Sequence, residues 1–362
     1  MSSVALDVSR FAQARQRRGL LALSLFGAAF AAAFLLAVGY GAVAIGPGQS
    51  LAILAAQIGV ELPWPFTAQQ EAVLLAIRLP RALIGVLVGA ALAISGAALQ
   101  GLFRNPLADP ALIGVSTGAA LAAAAVIVLG GSLVMVTAVV PLSLLLPLAA
   151  FCGGLATTLI VYHIASRDGR TDVAIMLLAG VAMNAITAAG VGLMVFMSDD
   201  QQLRDLNFWL LGSLGGATWD SLGAGAPFLV IGALALLLFA RPLNALLLGE
   251  SEAGHLGFRV ERTKRAIVVL AALVTGAAVA LTGVISFVGL VVPHVVRLLA
   301  GPDHRLLLPC CMMFGATLLL IADLFARTVV LPAELPISIL MACIGGPFFI
   351  WLLLRRRRGG GW

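Results

Sequence analysis

Ten long apolar runs account for most of the chain and limit what it can fold into. They cover residues 19–45, 73–102, 111–130, 137–165, 172–197, 222–240, 264–285, 287–300, 306–326 and 336–354. A helix needs about 20 apolar residues to cross a bilayer. Only 10% of the 362 residues are charged, against about 25% in soluble domains. The pattern predicts an all-α polytopic membrane protein of about ten transmembrane helices. It excludes a soluble enzyme, a secreted disulfide scaffold and a nucleic-acid-binding module.

The basic residues predict how these helices are oriented. Ten alternating helices that start inside leave four cations outside: Arg78, Arg81, Arg204 and Arg327. The other 18 of the 22 lysines and arginines then lie inside, as cytoplasmic loops are rich in positive charge. We therefore expect residues 1–18 to be a cytoplasmic tail, 19–354 a single transmembrane domain, and 355–362 a basic cytoplasmic tail. The glycine-rich segment Leu211–Ala217 is expected to form a short external or re-entrant helix.

Motifs for catalysis or metal binding do not occur in the sequence. Lys264 is the only lysine, and it does not follow the glycines of a phosphate-binding loop, so ATP hydrolysis by that route is excluded. The four histidines and four cysteines lack metal-ligand spacing. We predict no catalytic residue, no metal site and no cofactor bound by this chain. The middles of the helices are nearly free of ionisable groups, which ion-coupled carriers usually keep there. An energy-supplying partner is therefore favoured, with an ion-coupled secondary carrier as the alternative.

The longest internal polar segment, residues 241–265, is typical of a surface for such a partner. Pro242–Leu248 is predicted to form a short apolar turn that Gly249 ends. Glu250–Gly257 is predicted to start a second short helix, with acids near its N-terminus where the helix dipole favours them. Five apolar residues of this segment are costly to expose unless another surface covers them: Leu246, Leu247, Leu248, Leu256 and Phe258. They contact a partner or, alternatively, lie against the membrane interface.

Several motifs occur in a fixed order between residues 75 and 354. They are Arg78-Leu-Pro-Arg81, Gly89–Gly96, Asn105–Pro110, Gly114-Val-Ser116, Leu248–Gly257, Gly289–Arg297, Asp303-His-Arg305, Ala333–Pro336 and Gly345–Trp351. In these motifs the chain resembles the permease subunits of ABC importers for iron chelates, heme and cobalamin, the FecCD/BtuC type. The resemblance implies a BtuC-like type II importer fold, a homodimer, and a bacterial inner membrane location. It also implies two ATPase subunits on the cytoplasmic side and a periplasmic substrate-binding protein on the other.

The resemblance assigns roles to two sets of residues. In this family the loop before the seventh helix contacts the ATPase. The matching residues are Leu248, Gly249, Glu250, Ala253, Gly254, His255, Leu256 and Gly257. The family also docks its binding protein through permease arginines that meet glutamates, and the matching residues are Arg78, Arg81 and Arg327. Alternatively, Arg78 and Arg81 extend to lipid phosphates at a helix end. The role of Arg204 is left open.

The cargo is predicted from residues 177–185 and 199–216, which look most like heme-importer permeases. Heme is flat and largely apolar, so an apolar pathway suits it. The candidate pathway residues are Met176, Met183, Asn184, Met194 and Met197. The alternatives are ordinary packing for the methionines and an interhelical hydrogen bond for Asn184. The resulting prediction is a permease that moves heme to the cytoplasm by alternating access, powered by ATP on its partner subunits. Ferric siderophores and cobalamin are the alternative cargoes.

Overall fold

The computed structural model describes residues 2–130, 142–330 and 332–358. Their regular structure is helical except for one small hairpin, in which β1 (Ser166–Arg167) pairs antiparallel with β2 (Arg170–Thr171). The predicted all-α fold class is confirmed.

The helices are divided by this hairpin into two groups. Before the hairpin they are α1 (Ser2–Gly39), α2 (Pro47–Ala56), α3 (Ala68–Ala72), α4 (Leu79–Phe103), α5 (Val115–Leu129) and α6 (Leu142–Ala165). After it they are α7 (Val173–Met197), α8 (Asp200–Leu210), α9 (Trp219–Leu237), α10 (Ala240–Leu246), α11 (Glu250–His255), α12 (Val260–Thr282), α13 (Val288–Ala300), α14 (His304–Ala326) and α15 (Ile337–Arg358). A π-helical turn at Val73–Arg78 joins α3 to α4, and a 3-10 turn at Pro110–Ile113 precedes α5.

Ten apolar helices coincide with the ten predicted runs. In the described residues, seven helices are long and apolar enough to cross a membrane: Arg17–Gly39, Ala68–Phe103, Leu144–Ala165, Val173–Met197, Trp219–Leu237, Val260–Thr282 and His304–Ala326. Three shorter apolar helices complete the set: Val115–Leu129, Val288–Ala300 and Ile337–Leu352. Residues 137–141 of the fourth predicted run lie outside the described residues.

The helical backbone extends into both predicted tails. α1 begins at Ser2, so the segment expected to be an N-terminal tail continues the first helix. α15 continues to Arg358, and residues 359–362 lie outside the described part of the chain. Within the described residues, the parts expected to be tails therefore share the helical backbone of the neighbouring transmembrane helices.

The prediction of a helix at Leu211–Ala217 is wrong, because the helix precedes that segment as α8. Its start is set by a capping box. Asp199 Oδ1 accepts a hydrogen bond from the Gln202 N–H at 2.8 Å, and the Asp199 N–H donates to Gln202 Oε1 at 3.1 Å. The glycine-rich residues that follow form turns and bends.

The centre of the bundle is α4, whose membrane segment is 83% buried. It packs against α9, α12, α13 and α14. Glycines allow two of these contacts to be backbone to backbone, since a Cβ on Gly96 would collide with the Gly289 carbonyl and one on Gly89 with Gly315. By contrast, α7 is only 22% buried. The two ends of α4 lie about 35 Å apart, at 1.5 Å per residue, and each end carries a candidate site.

Candidate functional site

The segment predicted to contact an ATPase forms two short helices, α10 and α11, near the C-terminal end of α4. Gly249 lies between them with φ at 133°. α11 ends in a Schellman motif. The Gly257 N–H donates to the Gly254 carbonyl at 3.0 Å, and the Phe258 N–H donates to the Ala253 carbonyl at 3.1 Å. Gly257 has φ at 88°, a conformation that favours glycine. The motif limits α11 to six residues.

Side-chain exposure divides the predicted ATPase contacts into two groups. Leu248 is 67% and Leu256 60% exposed, and Gly254, His255 and Gly257 are exposed as well. Ala253 and Gly249 are buried and Glu250 is half-buried, so these three belong to the packing beneath α11.

Three other apolar residues of this segment were also expected to need a covering surface: Leu246, Leu247 and Phe258. Leu247 is 43% exposed, as expected. Leu246 is instead buried in the chain's own core, and Phe258 is half-buried against it. The expectation was wrong for Leu246. The surface open to a partner is therefore narrower than predicted.

At the opposite end of α4, Arg81 binds two carboxylates. Its Nε and Nη2 donate to Asp323 Oδ1 at 2.9 and 2.8 Å. Its Nη1 and Nη2 donate to the two Glu334 oxygens at 2.8 and 2.9 Å. Arg81 and Asp323 are 7% and 2% exposed, whereas the Glu334 side chain is 41% exposed. Such forked pairs are among the strongest hydrogen bonds of proteins.

The other two predicted docking arginines cap the C-terminus of α1. Arg78 donates to three carbonyl oxygens: Val38 (3.2 Å), Gly39 (2.7 Å) and Val43. Arg327 donates to the Ala37 carbonyl, and its Nε lies 3.5 Å from Asp323 Oδ2. The last carbonyls of a helix lack intrahelical donors and carry partial negative charge. Two cations from other elements satisfy them here.

The structure thus brings the three predicted docking arginines together at one end of the bundle, in contact with the chain itself. Arg78 and Arg81 are too buried to extend to lipid phosphates, the alternative that the sequence left open. Glu334 is the one exposed acid of this cluster. Sequence reasoning missed Asp323 and Glu334 as partners, although Asp323 lies one helical turn before Arg327, a spacing at which charges meet.

The Glu334–Arg81 pair predicts a pH dependence. Hydrogen bonds from Arg81 lower the pKa of the Glu334 carboxyl. A depressed folded-state pKa contributes stability above the unfolded value of about 4.3, and the contribution is lost as pH falls through the lower folded value. We expect the difference in detergent melting temperature between wild type and Glu334→Gln to be constant from pH 7 to 5.5 and to shrink below about pH 4. A difference independent of pH down to 3 would contradict this assignment.

The predicted pathway residues on α7 have unequal surroundings. Met176 is 1% exposed in the core, and Met183 is half-buried against it. Met194 is half-buried and Met197 is 53% exposed. Asn184 makes the interhelical hydrogen bonds of the alternative interpretation: Nδ2 donates to the Ala111 carbonyl at 3.1 Å, and Oδ1 accepts from the Thr117 hydroxyl at 2.6 Å. Met176 therefore packs in the core of the chain.

Two remaining features add no chemistry to the site. Among the described residues, no group of three histidine, cysteine, aspartate or glutamate side chains is placed to hold a metal ion. Arg204 is exposed on α8 and donates to Gln201 Oε1 at 2.9 Å, one turn away on the same helix. It takes no part in the arginine cluster.

Comparison with known proteins gives the same family over nearly the whole chain. Residues 22–355 match the FecCD transport family. The hemin transport system permease protein HmuU of Yersinia pestis is 49% identical over 281 residues, 78% of this chain and 83% of that protein. The cobalamin import system permease protein BtuC of Halobacterium salinarum is 46% identical, over 77% of this chain and 73% of that protein. The vitamin B12 import system permease protein BtuC of Klebsiella pneumoniae is 40% identical, over 98% and 99%.

A solved structure has the same fold. It is an inward-facing conformation of a metal-chelate type ABC transporter, 31% identical, with a TM-score of 0.78 over 92% of this chain and 98% of that one. The family comprises membrane-embedded permease subunits whose ATPase is a separate subunit and whose partners include a binding protein. These matches, together with the ten apolar helices, identify the chain as a member of the FecCD transport family and a permease subunit of an ABC importer.

Proposed function

We propose that this permease moves heme from a periplasmic substrate-binding protein to the cytoplasm by alternating access. It does so as a homodimer with two ATPase subunits, in a bacterial inner membrane with both termini cytoplasmic. The observation that supports heme as the cargo is the 49% identity to a hemin permease, which is higher than the 46% and 40% identities to the two cobalamin permeases. The orientation rests on the excess of arginine at the end of the bundle that bears α11.

Cobalamin is the second candidate cargo, because two of the relatives described are cobalamin permeases. Ferric siderophores remain the third, in keeping with the metal-chelate transporter of similar fold. Because the chain belongs to the FecCD transport family, we set aside the alternative function that the sequence alone left open, an ion-coupled secondary carrier.

The proposed ATPase contact is supported by the exposure of α11 and its flanks. Leucine side chains such as Leu248 and Leu256 gain about 1.5–3 kcal/mol each when a partner removes them from water. They lie on the end of the bundle assigned to the cytoplasm, beside a helix too short to be stable by itself. An ATPase that covers them would therefore also hold α11 in place.

The proposed docking of the binding protein uses Arg78, Arg81 and Arg327 at the other end. Arg81 is the most suitable of the three, because its partner Glu334 is exposed and so can exchange with an incoming carboxylate. Arg78 and Arg327 would act through their positive field, since both are engaged with α1. Docking of this kind weakens as salt concentration rises, because exposed charges are screened.

Reconstitution tests the cargo. The permease and its ATPase are placed in proteoliposomes with the binding protein outside, and uptake of heme, cobalamin and a ferric siderophore is measured with ATP or a non-hydrolysable analogue. We expect ATP-dependent heme uptake and ATPase stimulation by the heme-loaded binding protein, both decreasing at high salt. Uptake of cobalamin in preference to heme would refute the cargo and leave the permease role intact.

Leu256 offers a test of the ATPase contact. Leu256→Glu is expected to weaken ATPase binding by at least tenfold, since it removes about 1.5–3 kcal/mol of apolar burial and buries a charge. The measurement is co-purification of the ATPase with the permease over a concentration series. Ser251→Glu is the matched control, because it places the same charge in the first turn of α11, where the helix dipole tolerates it. Equal binding by the two variants would exclude Leu256 from the interface.

A further inference from the structure

The only lysine of the chain joins three segments at the end of the bundle that carries α11. Lys264 is 3% exposed. Its Nζ lies 2.6 Å from Glu250 Oε2, 3.1 Å from Glu261 Oε1 and 3.1 Å from the Thr171 carbonyl oxygen. An ammonium group has three N–H donors, so each donor has its own acceptor.

The three acceptors belong to different elements. Glu250 is the first residue of α11, Glu261 lies in the first turn of α12, and Thr171 ends β2. The Thr171 N–H also donates to Glu261 Oε2 at 2.9 Å, which closes a ring of contacts between the hairpin and α12. The next residue, Asp172, is the N-cap of α7. Lys264 therefore connects α11 to the start of α7.

Besides its contacts with the neighbouring helices α10 and α12, α11 has little buried surface of its own. The helix has six residues, and Ala253 is the only one of them that is fully buried. A helix this short is not stable without tertiary contacts. Lys264, Glu250 and Thr171 also line a cavity of about 440 Å³, together with Arg104 and Leu177. Because Ala253 is the only fully buried residue of α11, the link through Glu250 and Lys264 has a large share in positioning the helix.

We infer that Lys264 is a positioning residue that couples α11 to α7, so that movement of α11 by the ATPase is transmitted to the N-terminal end of α7. The inference rests on the proposed contact between α11 and the ATPase. Within one protomer α7 is the least buried of the long helices, so its movement disturbs little of the protomer's own packing. Lys264 acts through Glu250 and Thr171 and needs no contact with cargo or nucleotide.

The test is a double-mutant cycle of Lys264→Met and Glu250→Gln, with Glu252→Gln as matched control. Glu252 is exposed in the same helical turn as Glu250. In the purified permease, hydrogen exchange at the Ala253 and Leu256 amides, both bonded within α11, is expected to accelerate about tenfold in each single variant, as loss of a charged hydrogen bond predicts. The double variant is expected to be no faster than the singles, because both remove one interaction. If Lys264→Met fails to fold, Glu250→Gln carries the comparison alone.

The second measurement uses the assembled complex with its ATPase and loaded binding protein. Cargo uptake per ATP is expected to fall severalfold in Glu250→Gln, while Glu252→Gln matches wild type both in uptake per ATP and in basal ATPase activity. If hydrogen exchange in α11 is equally fast in Glu250→Gln and Glu252→Gln, Lys264 does not hold α11 through Glu250. If exchange is faster in Glu250→Gln but cargo uptake per ATP is unchanged, the contact does not transmit movement to α7. If the wild-type complex never assembles, the proposed function fails, and the exchange measurement still decides whether Lys264 holds α11.

Discussion

Arg81→Met is expected to lower the free energy of unfolding by about 3–5 kcal/mol, the usual cost of removing one partner from a buried ion pair. The loss comes mainly from Asp323, which is 2% exposed and would lose its forked partner, leaving Arg327 at 3.5 Å as its charged neighbour. Glu334 adds less, because water reaches it. The measurement is chemical unfolding in mixed micelles. The large effect arises from desolvation of the remaining carboxylate and not from the strength of the pair itself.

Two variants control for this effect. Arg204→Met removes an arginine that is exposed and bonded only to Gln201 among the described contacts, and is expected to change stability by less than about 0.5 kcal/mol. Arg81→Met combined with Asp323→Leu removes both members of the buried pair and is expected to recover part of the loss. If Arg81→Met costs no more than Arg204→Met, the cluster does not support the fold.

Gly96→Leu is expected to prevent accumulation of folded protein. A Cβ at this position would overlap the backbone of Gly289 on α13. Overpacking costs about 1–3 kcal/mol when the neighbouring side chains can change conformation. The backbone of Gly289 cannot do so, and α4 and α13 would therefore have to separate. Because α4 is the central helix, its other contacts would be lost as well. The yield of monodisperse protein in size-exclusion chromatography measures the effect.

Gly192→Leu is the matched control for this substitution. Gly192 lies within α7 with open space where its Cβ would be, and leucine has a higher helix propensity than glycine by about 0.8 kcal/mol. We expect wild-type yield or better. Similar losses in both variants would indicate that leucine harms the chain for a reason unrelated to the approach of α4 to α13.

The sequence predicted most of the fold because each transmembrane helix is recorded locally, as a run of apolar residues. The break between α10 and α11 was also predictable, because glycine at position 249 is itself a local signal in the sequence. α8 was missed, although the pair Asp199 and Gln202 is a readable capping signal. The glycine-rich segment that follows, Leu211–Ala217, was predicted to be a helix, whereas it forms turns and bends.

The arginine cluster could not be predicted in the same way, because its partners are far apart in the chain. Asp323 and Glu334 are 242 and 253 positions from Arg81. Counting charges placed the arginines at one end of the bundle, but it could not show whether they face water or each other. Burial is decided by how helices pack, and the packing of α4 against α14 is set by small residues whose partners no local pattern identifies.

The close packing of α13 against α4 changes how the surrounding lipid acts on the protein. α13 has 13 residues, or about 20 Å at 1.5 Å per residue, while the hydrocarbon core is about 30 Å thick. A helix that short facing lipid would thin the bilayer around it. Most of α13 is instead buried among α1, α4 and α14, and non-helical backbone is tolerated at membrane depth when protein surrounds it. Hydrophobic mismatch at α13 is therefore met by surrounding protein, and the bilayer acts on this permease through the longer helices around it.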